Sequence, residues 1–64
     1  MYVIELEAIT GDVGWAKNDP IEGWIGTFLK ETAERFENMD LASKVIVSHY
    51  KNWKGKVTIK KDVS

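Results

Sequence analysis

A chain of 64 residues without a single cysteine has few ways to hold itself together. Folding at this length buries only about 60% of the unfolded chain's surface, and a core so small supplies roughly 3–5 kcal/mol. Disulfides and thiolate zinc sites are excluded. A metal site around the one histidine would need carboxylates for its other ligands. Packing and self-association remain as sources of stability. The hydrophobic fraction of 44% is that of a globular protein, so residues 1–64 are read as a single domain. No apolar run approaches the ~18 residues of a membrane span. The N-terminal MYVIELEAI carries acids where a signal peptide carries lysines. A soluble, cytoplasmic protein is expected.

Hydrophobic periodicity sets the elements. Residues 2–9 alternate, with Tyr2, Ile4, Leu6 and Ala8 on one face and Val3, Glu5, Glu7 and Ile9 on the other. That pattern predicts a half-buried strand. Thr10-Gly11-Asp12 marks a turn, and residues 13–17 return as a second strand, with Gly14 weakening it or marking a bulge. Asn18-Asp19-Pro20 breaks that strand. Asp19 as a cap, Pro20 at the first helical position and Glu22 three residues after Asp19 predict a helix start. Ile21, Trp24, Ile25, Phe28, Leu29, Ala33 and Phe36 then recur at helical spacing. Gly23 and Gly26 cost about 1 kcal/mol each in a helix, so firm helix is predicted only from about Thr27.

Leu41, Ala42, Val45, Ile46, His49 and Tyr50 form a second stripe that Trp53 can extend. The sustained period, with Asn38 or Asp40 as cap, predicts a helix. The β-branched run Val45-Ile46-Val47 pulls the other way, toward strand. Residues 56–60 alternate again, with Val57 and Ile59 inward and flanking lysines guarding a sheet edge. The fold class expected is α+β: a small three-stranded antiparallel sheet (about 2–9, 13–17 and 56–61) packed against one or two helices.

The net charge of −1 hides a division. Residues 1–40 carry nine acids and three bases, and residues 41–64 carry six lysines and one acid. Such asymmetry points either to a charged partner or to two halves that fold against each other. Gly11-Asp12-Val13-Gly14 and Gly23-Trp24-Ile25-Gly26 match neither a phosphate loop nor a dinucleotide fingerprint. His49 falls on an apolar stripe, and no third group is set to orient its imidazole toward Ser43 or Ser48. Glu31 and Glu34 read as a solvated face. No catalytic, cofactor-binding or metal-ligating residue is assigned, and no enzymatic activity is expected.

Aromatic content stands above this background. Trp24 reads as core, and Trp15 as core or exposed platform. Trp53 lies in His49-Tyr50-Lys51-Asn52-Trp53-Lys54-Gly55-Lys56, flanked by lysines. Tryptophan and tyrosine bury large rigid area at low entropic cost and dominate protein–protein hot spots. Aromatics among lysines also suit single-stranded nucleic acid, where bases stack and phosphates pair with ammonium groups. A third reading has Trp53 stapling the helix end to the sheet.

Ala33-Glu34-Arg35-Phe36, Ala42 six residues after Phe36, and Val45-Ile46 carry a resemblance. With an opening hairpin like Tyr2-Val3-Ile4 and a tryptophan before the A-x-x-F segment, the chain resembles very short phage- and prophage-encoded proteins. It departs from their pattern in residues 18–26. The resemblance implies an α+β fold, a phage or mobile-element origin and, for those members that are understood, binding and inhibition of a host protein. The function expected is a non-enzymatic protein-binding module, an inhibitor of a host or defence protein acting by occlusion in the host cytoplasm. Its contact residues are Trp53, Tyr50, Lys51, Lys54 and Trp15. The alternative is a nucleic-acid or nucleotide binder that uses Lys51, Lys54, Lys56, Lys60 and Lys61 with Trp53. Two apolar stripes on one thin sheet leave surface uncovered, so a homodimer is expected.

Overall fold

The computed structural model describes residues 1–62. The chain runs β1 (Tyr2–Glu7), β2 (Val13–Asp19), β3 (Gly23–Thr27), a 3₁₀ turn (Lys30–Thr32), α1 (Met39–Val45), a π-helical turn (Ile46–Tyr50) and β4 (Lys56–Lys61). The four strands form one antiparallel sheet in the order β3-β2-β1-β4. The α+β class holds, with four strands where three were expected.

The added strand replaces the helix predicted over residues 21–36. The Asp19 carboxylate does accept two backbone N–H groups, from Ile21 (3.1 Å) and Glu22 (2.8 Å), as a helix cap would. Those two bonds, Glu22 first, hold its pKa below the usual carboxylate value. The turn they close is a hairpin. Pro20 presets its first corner, and Gly23, at φ +80°, takes the left-handed position that completes a three-residue loop. Gly11, at φ +94°, serves the β1–β2 hairpin in the same way. Strand pairing with β2 then satisfies one side of the backbone of residues 23–27, in register from Asp19↔Gly23 to Trp15↔Thr27. The helical spacing of Ile21, Phe28 and Leu29 is not used, and all three side chains are exposed.

Residues 33–36 run extended into a gap between β1 and β2. Tyr2 and Phe36 exchange backbone hydrogen bonds at 2.8 Å, and the Glu34 N–H donates to the Ala16 carbonyl at 2.9 Å. The paired rungs of β1 and β2 run from Glu5↔Trp15 to Glu7↔Val13, at the hairpin end of both strands. Ala33 and Phe36 are buried. The Arg35 Nε donates to the Asp62 carboxylate at 2.8 Å, which ties this segment to the end of β4.

The second predicted helix is present. Asn38 caps it, its side-chain oxygen accepting from the Leu41 N–H at 3.0 Å. The β-branched run coincides with the widening into a π turn. Six buried residues form the main core cluster, Ile4, Leu6, Ala16, Phe36, Ala42 and Tyr50, with Trp24, Val45, Ile46, Val57 and Ile59 against it, and Val3 and Ala33 are buried outside it. Ile4 and Leu6 are fully enclosed, and each contributes about 1.5–3 kcal/mol through burial. The Trp24 ring stacks on Phe36 at 5.9 Å and meets Tyr50 edge-on at 6.4 Å. Acidic β1 lies beside basic β4, with Glu7 in register with Lys56 and the Lys60 ammonium 3.9 Å from the Glu5 carboxylate. The two charged halves of the sequence are thus neighbours in the sheet. No helix among the described residues is long and apolar enough to cross a membrane.

Candidate functional site

The helix covers only part of the sheet face on which it packs. Toward the β1–β2 hairpin that face ends in a concavity of about 270 Å³ lined by Leu6, Ala8, Asp12, Gly14, Gly26, Thr27, Phe28 and Trp53. Two glycines keep its floor low. At Gly14 a Cβ would fall 2.8 Å from the Thr27 carbonyl oxygen, closer than the backbone allows. At Gly26 a Cβ would meet only the Leu6 Cδ1, at an ordinary 3.7 Å. Phe28, exposed over 76% of its surface, and Trp53, over 37%, border this hollow. Asp12 is its one charged lining residue, and its carboxylate accepts from the Thr10 hydroxyl at 3.0 Å.

Trp53 is held in place by two bonds. Its indole N–H donates to the Glu7 carbonyl at 3.1 Å, and its backbone N–H donates to the Tyr50 carbonyl at 3.0 Å. The staple and the exposed aromatic are therefore the same residue: one edge fastens the helix end to β1 and the rest of the ring is open. A second concavity of about 330 Å³, lined by Ala8, Ile9, Asn52, Trp53, Lys54 and Gly55, shares Ala8 and Trp53 with the first. Ile9 stands out from it, 77% exposed.

The five expected contact residues separate. Trp53, Lys51 and Lys54 are exposed, and Trp53 and Lys54 line the second concavity. Tyr50 is a core residue, and its hydroxyl donates to the Ile25 carbonyl at 2.8 Å. Burial pushes that phenol up to about 12, with a backbone hydrogen bond from Lys17 pulling the other way. A side chain so enclosed offers a partner no surface, which corrects its place in the expected set. Trp15 alternates to the opposite sheet face, half-buried, in register with Glu5 and Thr27. Lys56 and Lys60 lie on β4 beside Glu7 and Glu5, away from Lys51 and Lys54 in the chain. His49 is exposed, its ring 5.8 Å from that of Trp24. No group of three or more metal-ligating side chains occurs among the described residues.

Sequence reasoning missed Phe28 and Ile9 at this site. Helical spacing places Phe28 in a buried stripe, and alternation places Ile9 at the end of a strand. The signal for Phe28 was the spacing Asp19-Pro20-x-x-Gly23, which reads equally as a hairpin turn and places Phe28 just beyond a strand. The chain matches no family model, no curated protein and no solved structure.

Proposed function

We propose that this protein is a non-enzymatic binding module that grips another protein with the hairpin end of its sheet and acts by occlusion. Trp53, Phe28 and Ile9 are the apolar anchors, with Lys51, Lys54 and Asp12 around them. One observation carries the reading: three large apolar side chains stand exposed around two adjoining concavities, one of them floored by glycine. Pockets of this kind receive the aromatic or aliphatic anchor of a partner, and the surrounding charges exclude water and set orientation. The phage or prophage origin, the host-protein target and the cytoplasmic setting rest on the resemblance carried by residues 33–36, Ala42, Val45 and Ile46.

Affinity capture from host lysate tests it, with wild type, Phe28→Ser and Ile9→Ser run in parallel. The expected result is a protein retained by the wild type and lost from both variants, whose thermal unfolding stays unchanged. Equal retention by all three would overturn the reading.

The exposed ring of Trp53 between Lys51 and Lys54 also suits a stacked base. Against it, Lys56 and Lys60 lie alongside Glu7 and Glu5, which weakens any continuous track for phosphates. Oligonucleotide titration at two salt concentrations separates the readings. Binding that falls steeply with salt supports nucleic acid, and none at low salt rejects it.

A further inference from the structure

We propose that β3 is a self-pairing edge: two copies of this chain join antiparallel through Gly23–Thr27, centred on Ile25, to form one continuous eight-stranded sheet. The two edges of the sheet differ. β4 carries Lys56, Lys60 and Lys61, all exposed, which is how proteins keep an edge from pairing. β3 ends the sheet on the other side with the sequence GWIGT, which has neither charge nor proline.

The register follows from the side chains. Centring on Ile25 sets Trp24 of each copy opposite Gly26 of the other, and Gly23 opposite Thr27. Trp24 and Gly26 share the face on which the helix packs, the ring half-buried and the glycine exposed. The ring packs on Phe36 and Tyr50 within its own copy, and the cross-strand glycine leaves room for the part of it that stays exposed. Centring on Trp24 would oppose two indoles. Centring on Gly26 would leave two glycines facing each other. A slip to either would also forfeit the pairing beyond the strand ends, where the Ile25 register brings Ile21 of one copy toward Leu29 of the other. Both are exposed, Ile21 over 94% and Leu29 over 58% of their surface. The partner is therefore a second copy of this chain.

The absence of cysteine makes the test direct. Residues opposed across an antiparallel pair have Cα atoms about 4.5–5.5 Å apart, inside the roughly 4.4–6.8 Å range of a disulfide. Ile25→Cys is expected to form a covalent dimer rapidly under mild oxidation, and Lys60→Cys on the other edge is not. Sedimentation equilibrium of the wild type is expected to show a reversible dimer. Gly26→Lys has room for its Cβ within one copy but meets the facing Trp24, and is expected to weaken dimerisation at least tenfold with an unchanged far-UV spectrum. A wild type that stays monomeric up to about millimolar concentration overturns the proposal. So does a dimer in which Ile25→Cys cross-links no faster than Lys60→Cys.

Discussion

Gly14 and Gly26 line one floor, yet an added methyl group meets different surroundings at each. At Gly14 it would press on the Thr27 carbonyl, so Gly14→Ala is expected to destabilise by about 1–3 kcal/mol. At Gly26 it meets only Leu6 at van der Waals distance, and the backbone is not in the left-handed region. At concentrations where the chain is monomeric, Gly26→Ala is expected to gain about 0.4–1 kcal/mol by restricting the unfolded chain. Urea unfolding midpoints of the two variants check the contrast. Tyr50 supplies a second residue-scale prediction. Its hydroxyl pKa is raised on folding, from 10.0 to about 12. The stability it contributes is therefore complete below pH 10 and is lost as pH rises through 12. Unfolding curves for wild type and Tyr50→Phe should differ by a constant amount below pH 10 and converge above it. A difference that grows above pH 10 would contradict the buried-phenol assignment.

At the scale of elements, α1 depends on its start. It is only seven residues long before the backbone widens, and so short a helix has little stability of its own. Removing the Asn38 cap by Asn38→Ala is expected to cost about 1 kcal/mol, read as a lower thermal midpoint. The β2–β3 hairpin is set by different chemistry. Asp19 is half-buried, its carboxylate accepts from two backbone N–H groups, and its lowered pKa means that its contribution is present above the unfolded-state pKa and is lost as pH falls through the folded one. Asp19→Ala should remove that part of the acid-side loss. The same turn explains why the helix predicted over residues 21–36 does not form. Asp-Pro-x-x-Gly satisfies the rules for a helix start and for a hairpin loop alike, and the choice lies with what the following residues can pair with. β2 offers a full ladder, and two glycines make helix costly there. For residues 41–50 the rival signals resolved toward helix because apolar spacing continued over three turns.

Across the whole molecule, the sheet is held closed by contacts between distant parts of the chain. Arg35 and Asp62 are the clearest case. The Asp62 side chain is almost fully enclosed, while Arg35 is about a third exposed. Removing the guanidinium leaves a largely buried carboxylate without its partner, so Arg35→Met is expected to cost about 1–3 kcal/mol. Added salt should leave the gap between wild type and variant nearly unchanged, whereas for a surface pair screening would narrow it. A thermal-unfolding series in sodium chloride checks this. Trp53 plays the matching role at the opposite end, joining residues 7 and 53 through one hydrogen bond. Trp53→Phe keeps an aromatic ring, though a smaller one, and removes the N–H, which separates the stapling part of its role from the binding part.

The sequence by itself determined β1, β4, the capped helix, the guarded lysine edge and the exclusion of disulfide chemistry. Each of these rests on residues close together in the chain or on composition: a period of two, a period near four, a cap, the lack of a thiol. Tertiary structure alone decided that residues 23–27 are a strand, that Tyr50 points inward and that Ile9 and Phe28 meet Trp53 at one end. Those outcomes depend on which backbone is free to pair and which surface remains after α1 has packed. Such competition is settled by long-range contacts that no local pattern encodes.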